Sequence, residues 1–148
     1  MSALTQARFP QFSTYDVVPL PLASGEKVFR NGIACIDTSA HLAKNAASGN
    51  ANLIPVGEWL DSFDNSSGTG TVQVMCRLYQ EITVRWYASD TGGNAVTSSN
   101  LYSDVYILDD QTVTTSSSGN SKAGKVWAVD AVKGVGVVPA GLGASGGF

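Results

Sequence analysis

Short runs in which apolar and polar residues alternate are the main pattern along this chain, and they predict β-strands. In residues 72–79, one face of the run carries Val72, Val74, Cys76 and Leu78, and the other carries Gln73, Met75, Arg77 and Tyr79. This is the period of a half-buried strand, so the first face is expected to point to the core. In residues 82–87 the same period is expected to place Ile82, Val84 and Trp86 inward.

Residues 100–130 contain the clearest strand and turn signals. Residues 105–108 are apolar, β-branched or aromatic, Asp109-Asp110-Gln111 has the composition of a turn, and residues 111–115 alternate again. This order predicts a β-hairpin. A polar loop at 116–121 follows, then a strand at 125–130, a corner at Ala131-Val132 and a last strand at 133–138.

The first half of the chain carries a second hairpin signal. Asn31-Gly32 lies between the apolar runs 28–30 and 33–36, and both residues tolerate the positive φ of a type I′ turn. Residues 54–63 predict a strand with a loop at 61–70 behind it. Thr97 is a fair N-cap, which predicts one helical turn at 97–101.

The order of these elements resembles the small bacteriophage capsid decoration, or cement, proteins. A Val-Tyr-Ile-Leu strand at 105–108, an acidic turn, a Thr-rich strand, a Ser/Gly/Asn loop and Gly-Lys-Val at 124–126 are similar to the C-terminal half of that family. Residues 27–37 resemble its opening hairpin, and residues 54–59 resemble the strand after its first long loop. The likeness covers roughly residues 25–138 and lies in strand and turn order, not in a catalytic signature.

This resemblance implies a fold class and a function. The fold would be all-β, a small β-barrel or sandwich of β-tulip-like type, with an extended N-terminal arm and a Gly-rich C-terminal tail. The function would be to bind the outer surface of the assembled phage head, often as a homotrimer, and to stabilise it by bridging neighbouring subunits of the major capsid protein. Residues 39–47 have the propensity of a short helix, but by resemblance they form a strand and a loop, with Leu42 paired back to the first hairpin.

The chain divides into an arm at 1–24, a β domain at 25–138 and a tail at 139–148. Three of the five prolines lie in the arm, which is therefore extended. Strand addition by an arm is a recurrent way to bind a sheet edge, so arm and tail are expected to lie on the capsid or on a neighbouring copy. Packing on the chain's own domain is the alternative. The candidate contact residues are Phe9, Phe12, Tyr15, Val17, Val18, Leu142 and Phe148.

The charged and apolar composition of the chain limits the classes of partner that we expect. Only 14% of the residues are charged, the net charge is −3, and the basic residues are scattered, so no basic stripe for nucleic acid is expected. No apolar run approaches the roughly 20 residues that span a bilayer, and the start lacks a secretion signal. We expect neither nucleic acid nor membrane as a partner, synthesis in the host cytoplasm and a final place in the virion.

The reactive side chains do not assemble into a catalytic motif. Cys35 and Cys76 lie in alternating runs, which favours two buried thiols over a disulfide. His41 is the single histidine and has no oxyanion signature near it, so we expect a surface or loop residue rather than part of a triad. We predict no enzyme activity.

Carboxylates and tryptophans leave two further alternatives. The pairs Asp61/Asp64 and Asp109/Asp110 lack the ligand spacing of a calcium loop and suit turns, so no metal or cofactor is expected. Trp59, Trp86 and Trp127 each fall in a predicted strand, which favours core packing or a subunit interface. If they are exposed instead, the alternative function is a carbohydrate- or receptor-binding β module of a phage virion.

Overall fold

The computed structural model describes residues 17–79 and 84–140, which form twelve β-strands and two 3₁₀ turns. The strands are β1 Val17–Leu22, β2 Lys27–Val28, β3 Ile33–Asp37, β4 Leu42–Asn45, β5 Leu53–Trp59, β6 Phe63–Asp64, β7 Val72–Leu78, β8 Arg85–Ser89, β9 Asp104–Ile107, β10 Thr112–Thr114, β11 Lys122–Asp130 and β12 Gly134–Pro139. The 3₁₀ turns are Gly92–Asn94 and Ser98–Asn100. The predicted all-β class is confirmed.

Ten of the strands form two closed five-stranded barrels. The first barrel has the ring order β1-β4-β3-β5-β7, and the second has the order β8-β10-β9-β11-β12. Strands β2 and β6 form a separate antiparallel pair. A closed ring leaves little unpaired strand edge. The parallel pairs that complete the rings are short, with Leu22 opposite Ala43 in the first barrel and residues 112–113 opposite 88–89 in the second.

The two barrels have the same topology. Each ring contains one parallel pair, which is β1 with β4 in the first barrel and β8 with β10 in the second. The other neighbouring pairs in both rings are antiparallel. If the five strands of each barrel are numbered in chain order, both rings read first, third, second, fourth, fifth. The chain therefore contains one barrel topology twice.

The register of the strands is repeated as well. Gly57 in β5 and Gly124 in β11 occupy matching places, and the pairing with the preceding ring strand slips by one residue next to each, at Val56 and at Ala123. The matched pairs around the glycines are Ala34↔Gly57↔Leu78 in the first barrel and Val105↔Gly124↔Pro139 in the second. Just after the fifth strand, a backbone N–H donates to each bulge carbonyl, from Tyr79 to Val56 at 3.0 Å and from Ala140 to Ala123 at 2.9 Å.

Each barrel is filled by the apolar face of its alternating strands. The first core contains the fully buried Trp59 with the apolar side chains Leu22, Val28, Ala34, Ala43, Val74 and Cys76. The second core extends across the junction, because residues of the first barrel pack into it: Ile33, Cys35, Ala46 and Leu53. This shared apolar cluster joins the two barrels into one packed body.

Polar contacts also cross the junction. The hydroxyls of Tyr79 and Tyr87 lie 2.7 Å apart, and both residues are buried. The Leu53 N–H donates to Ser121 Oγ at 2.8 Å, and that hydroxyl donates to the Asn50 carbonyl at 2.6 Å. The tyrosine hydroxyls satisfy each other, and Ser121 satisfies backbone groups that the packed junction removes from water.

Several predictions from the sequence are confirmed. Strands β9 and β10 form the expected hairpin, with Val113 opposite Ile107. Residues 42–45 form a strand rather than a helix, and Leu42 pairs back to Asp37 at the end of β3. The 3₁₀ turn after Thr97 is also present, and the Thr97 N–H donates to Asn100 Oδ1 at 2.8 Å.

Two predictions near the N-terminus are wrong. Asn31 does adopt a positive φ of 70° in a turn, but the runs on either side do not form a hairpin, because β2 pairs with β6 while β3 pairs with β4 and β5. The prediction of an extended arm at residues 1–24 is also wrong for residues 17–22. Residues 17–22 are strand β1, which pairs with β7 along its whole length and closes the first barrel.

The inward face of β8 was assigned to the wrong residues. Trp86 is 39% exposed, and Val84 is exposed as well. Tyr87 on the other face is buried and lies in the second core. Alternation alone fixes which residues share a face, but not which face is covered, and here the junction covers Tyr87 because its hydroxyl has the Tyr79 hydroxyl as a partner. Ile82 lies outside the described residues.

Candidate interaction surfaces

The outside of the second barrel carries an exposed aromatic pair. The ring centres of Tyr102 and Trp127 lie 5.7 Å apart with their planes at 82°, and the two residues are 67% and 47% exposed. Leu101, next to Tyr102, is exposed too. We call Leu101, Tyr102 and Trp127 the aromatic ridge. An edge-to-face pair is rigid and amphipathic, and such side chains are enriched at the centres of protein interfaces.

Backbone geometry presents the ridge to solvent. Trp127 is the extra residue of a β-bulge, because the pairing of β11 with β12 slips between Val126 and Ala128, and a bulge re-aims the side chain it carries. Tyr102 has a φ of 62°, and its N–H donates to the Val126 carbonyl at 2.7 Å. A tyrosine in this left-handed region costs about 1 kcal/mol or more, so both ridge aromatics stand on irregular backbone.

A groove runs along the junction of the two barrels. Its larger part has a volume of about 560 Å³ and is lined by Asn31, Glu58, Trp86, Tyr87, Ala88, Gln111 and residues 131–134. A smaller hollow of about 360 Å³ is lined by residues 29–32 with Asp110 and Gln111. The two hollows share Asn31 and Gln111. We call them together the junction groove.

The charges of the junction groove are balanced. Glu58 Oε1 lies 3.2 Å from Arg85 Nη1. Burial raises the pKa of Glu58, and the nearby Arg85 and Arg77 act in the opposite direction. Lys133 supplies an ammonium whose Nζ lies 5.3 Å from the centre of the Trp86 ring. The smaller hollow is lined by one basic residue, Arg30, and one acidic residue, Asp110.

Two amides at the middle of the junction groove are unengaged. The side chains of Asn31 and Gln111 donate to and accept from no other residue within 17–79 and 84–140. Each amide offers two N–H donors and one carbonyl acceptor. Beside them, the exposed indole of Trp86 rests on the sheet at Gly136, where an added Cβ would lie 3.2 Å from two ring carbons.

The structure describes only some of the residues that were predicted as arm and tail contacts. Phe9, Phe12, Tyr15, Leu142 and Phe148 lie outside the described residues. Val17 and Val18 were expected to contact a partner, but they are half-buried in the chain's own first barrel, opposite Arg77 and Cys76 of β7. Both residues take part in closing the ring, and their contact with a partner stays a prediction.

The two cysteines are free and buried, as predicted. Burial raises the pKa of both thiols, that of Cys76 to about 12. His41 lies exposed in the turn between β3 and β4, where its φ is 57°. These three side chains form no common site in the described structure.

The carboxylate pairs serve turns. Asp109 Oδ1 accepts the Gln111 N–H at 2.9 Å, and Asp64 Oδ1 accepts the Ser66 N–H at 3.0 Å. Over residues 17–79 and 84–140, no three His, Cys, Asp or Glu side chains come together in a group that could hold a metal ion.

The three tryptophans differ in their exposure to solvent. Trp59 is in the first core, as core packing predicts, whereas Trp86 and Trp127 are exposed. Sequence reasoning did not find Glu58, Asn31 and Gln111 as groove residues, because they are far apart along the chain. The signal it did have was the three tryptophans in predicted strands, for which exposure was the stated alternative to core packing.

Comparison with protein-family models, with curated proteins and with solved structures finds no match to this chain. In the part of the chain that the structure describes, no helix has the length and apolar character needed to cross a bilayer.

Proposed function

We propose that this protein is a capsid decoration protein that binds the outer surface of an assembled phage head and bridges subunits of the major capsid protein. The aromatic ridge carries the proposal, because it is an exposed aromatic surface on a protein in which ten of the twelve described strands are closed into rings. The resemblance in strand and turn order to the decoration family supports it, and so does the low charge of the surface.

The ridge is suited to the centre of a protein interface. Tyr and Trp bury a large area at a small cost in side-chain entropy, and they dominate the binding energy where water is excluded around them. Strand addition from the shell is less suited, since the rings are closed. The contacts would therefore be made by side chains rather than by a shared sheet.

Stabilisation would follow from mass action. A protein that binds only the assembled lattice lowers the free energy of that lattice by an amount that grows with its concentration above the dissociation constant. A closed homotrimer would engage several capsid subunits at once, and linked weak contacts gain roughly 10²- to 10⁴-fold in avidity. The arm at 1–16 and the tail at 141–148 are the further contact segments in this proposal.

The test is co-sedimentation of purified protein with undecorated heads of the virus that encodes it. The wild-type protein should pellet saturably, at a fixed number of copies per capsid subunit. The double variant Tyr102→Asn/Trp127→Ser removes both ridge aromatics, and Asn tolerates the left-handed backbone at 102. It should lose most of its head binding while keeping its fold by circular dichroism.

The control is Trp86→Ala, which removes an exposed tryptophan outside the ridge and should pellet like the wild type. A second variant lacking residues 1–16, and so retaining β1, measures the arm separately. Pelleting of the ridge variant at the wild-type level would refute the role of the ridge. Failure of the wild type to pellet would refute decoration.

A further inference from the structure

We infer that the junction groove is a binding site for a neutral oligosaccharide, separate from the aromatic ridge and independent of capsid binding. The groove has the size of a ligand site, since such sites commonly occupy about 300 to 1,000 Å³ and lie where two packed units meet. Its larger part alone measures about 560 Å³.

The groove lining is chemically matched to a sugar. A pyranose ring presents an apolar face of C–H groups and a rim of hydroxyls that both donate and accept hydrogen bonds. Trp86 supplies a partly exposed aromatic ring. The Lys133 ammonium lies over this ring at 5.3 Å, so the C–H face of the sugar would stack there in place of that lysine side chain. Asn31 and Gln111 supply unengaged amides, and an amide pairs with neighbouring hydroxyls through its donor and acceptor together.

Two hollows that share their polar centre indicate more than one sugar ring. Trp86 lies in the larger hollow, and Phe29, which is 52% exposed, lies in the smaller one. Asn31 and Gln111 line both. Each hollow therefore has one aromatic ring and the same two amides, which suits a ligand of at least two linked rings. As at Trp86, a lysine lies over the Phe29 ring, with Lys27 Nζ 5.5 Å from its centre, and the ligand would replace it.

Other ligand classes fit the groove less well. A phosphate group is usually held by several cations or by bidentate Arg contacts. Among the described residues, the cations that line the groove are Lys133 in the larger hollow and Arg30 in the smaller one, so neither hollow holds a cluster of cations, and the nearby Arg85 is already paired with Glu58. An amphipathic helix would bury the two amides against apolar side chains and leave them without partners, which costs free energy. The balanced charge and the free amides favour an uncharged, hydroxyl-rich ligand.

The experiment is a titration of the full-length protein with four neutral trisaccharides that differ in sugar or linkage: maltotriose, cellotriose, tri-N-acetylchitotriose and mannotriose. Binding is followed by the two-dimensional NMR signals of the three indole N–H groups. Saturable binding of one probe in the millimolar range or tighter should move the Trp86 signal, while the buried Trp59 and the ridge Trp127 keep theirs.

Variants assign the site. Trp86→Ala should weaken binding of that trisaccharide at least about tenfold, and Gln111→Ala should weaken it by several-fold. Trp127→Ala is the matched control, since it removes an equally exposed tryptophan outside the groove, and it should bind normally. Because Trp86 is exposed, the variant is expected to fold, and thermal unfolding checks this.

Two outcomes would overturn the inference. One is that none of the four trisaccharides shifts the Trp86 signal at millimolar concentration. The other is that a probe binds but Trp86→Ala leaves its affinity unchanged. Head co-sedimentation of the same variant keeps the two proposals apart, because Trp86→Ala is expected to lose sugar binding and retain the capsid.

Discussion

Replacing Gly57 or Gly124 is predicted to lower the free energy of unfolding by the same amount, because each glycine lies where the fourth and fifth strands of its barrel approach closely. A Cβ built at Gly57 falls well inside 3.0 Å of the Arg77 carbonyl oxygen, and one built at Gly124 does the same at the Val138 carbonyl. In both cases the shortfall is about 1 Å, and the obstacle is backbone rather than a movable side chain. Alanine at either place must therefore push the fourth strand away from the fifth.

The size of the effect follows from this geometry. Overpacking that forces backbone shifts typically costs 1 to 3 kcal/mol, and a ladder hydrogen bond lost on strand separation adds about 1 kcal/mol. We expect Gly57→Ala and Gly124→Ala each to lower the free energy of unfolding by about 3 kcal/mol. For a protein of this size, that lowers the melting temperature by roughly 6 to 12 °C.

Urea unfolding followed by far-UV circular dichroism measures the free energy directly. Gly70→Ala and Gly93→Ala are the matched controls, since an added Cβ there meets nothing within 4 Å, and both should stay within about 0.5 kcal/mol of the wild type. Loss of less than 0.5 kcal/mol in Gly57→Ala or Gly124→Ala would refute the close packing of that barrel. A large loss in one variant alone would refute the equivalence of the two barrels.

Three other predictions concern the junction, acid stability and the thiols. Tyr79→Phe leaves the Tyr87 hydroxyl buried without its partner and should destabilise by about 1 to 2 kcal/mol in urea unfolding, with the double Phe variant losing less than the sum of the two singles. The pKa of Asp37 is held below its usual range, first by Lys44 and then by backbone N–H groups of its turn. The contribution of Asp37 to the free energy of unfolding is therefore present above its unfolded pKa of about 4 and is lost as the pH falls below that value. Asp37→Asn should flatten the acid side of a stability–pH curve, and an unchanged curve would contradict this. Burial raises the pKa of Cys76 to about 12, so in native buffer neither cysteine should react with a thiol reagent faster than the protein unfolds, and rapid labelling of two thiols would disprove their burial.

The local elements of the second barrel could be predicted from sequence because their signals are local. Asp109-Asp110-Gln111 lies between two alternating runs, and the hairpin of β9 and β10 forms there. Asn31-Gly32 gave an equally strong signal and was misleading. The turn forms, but Val28 before it pairs with Phe63, since the partner of a strand is chosen by the packing of the whole chain.

The repeated barrel was not predictable from sequence. The matching positions seldom carry the same residue: Ala34 corresponds to Val105, and Leu78 to Pro139. A shared register with different side chains leaves little periodic signal. The two barrels share a glycine at one matching position, Gly57 and Gly124, because the close approach of two strands leaves no room for a side chain at either place.

The candidate surfaces were partly predictable. The sequence left open that exposed tryptophans could form a binding surface, but the alternation rule placed Trp86 in the core. Its exposure depends on Tyr87 being covered by the junction, which is a contact between distant parts of the chain. The bulge that presents Trp127 is likewise a matter of register between β11 and β12.

Thermal disruption of undecorated heads tests the central proposal most directly, with DNA release followed by a fluorescent dye as the temperature rises. If the protein decorates and stabilises the shell, the release temperature should rise with added protein and level off at the concentration that saturates binding. The Tyr102→Asn/Trp127→Ser variant should give little increase at the same concentration. A release temperature that does not change with saturating wild-type protein would contradict a stabilising role on the capsid.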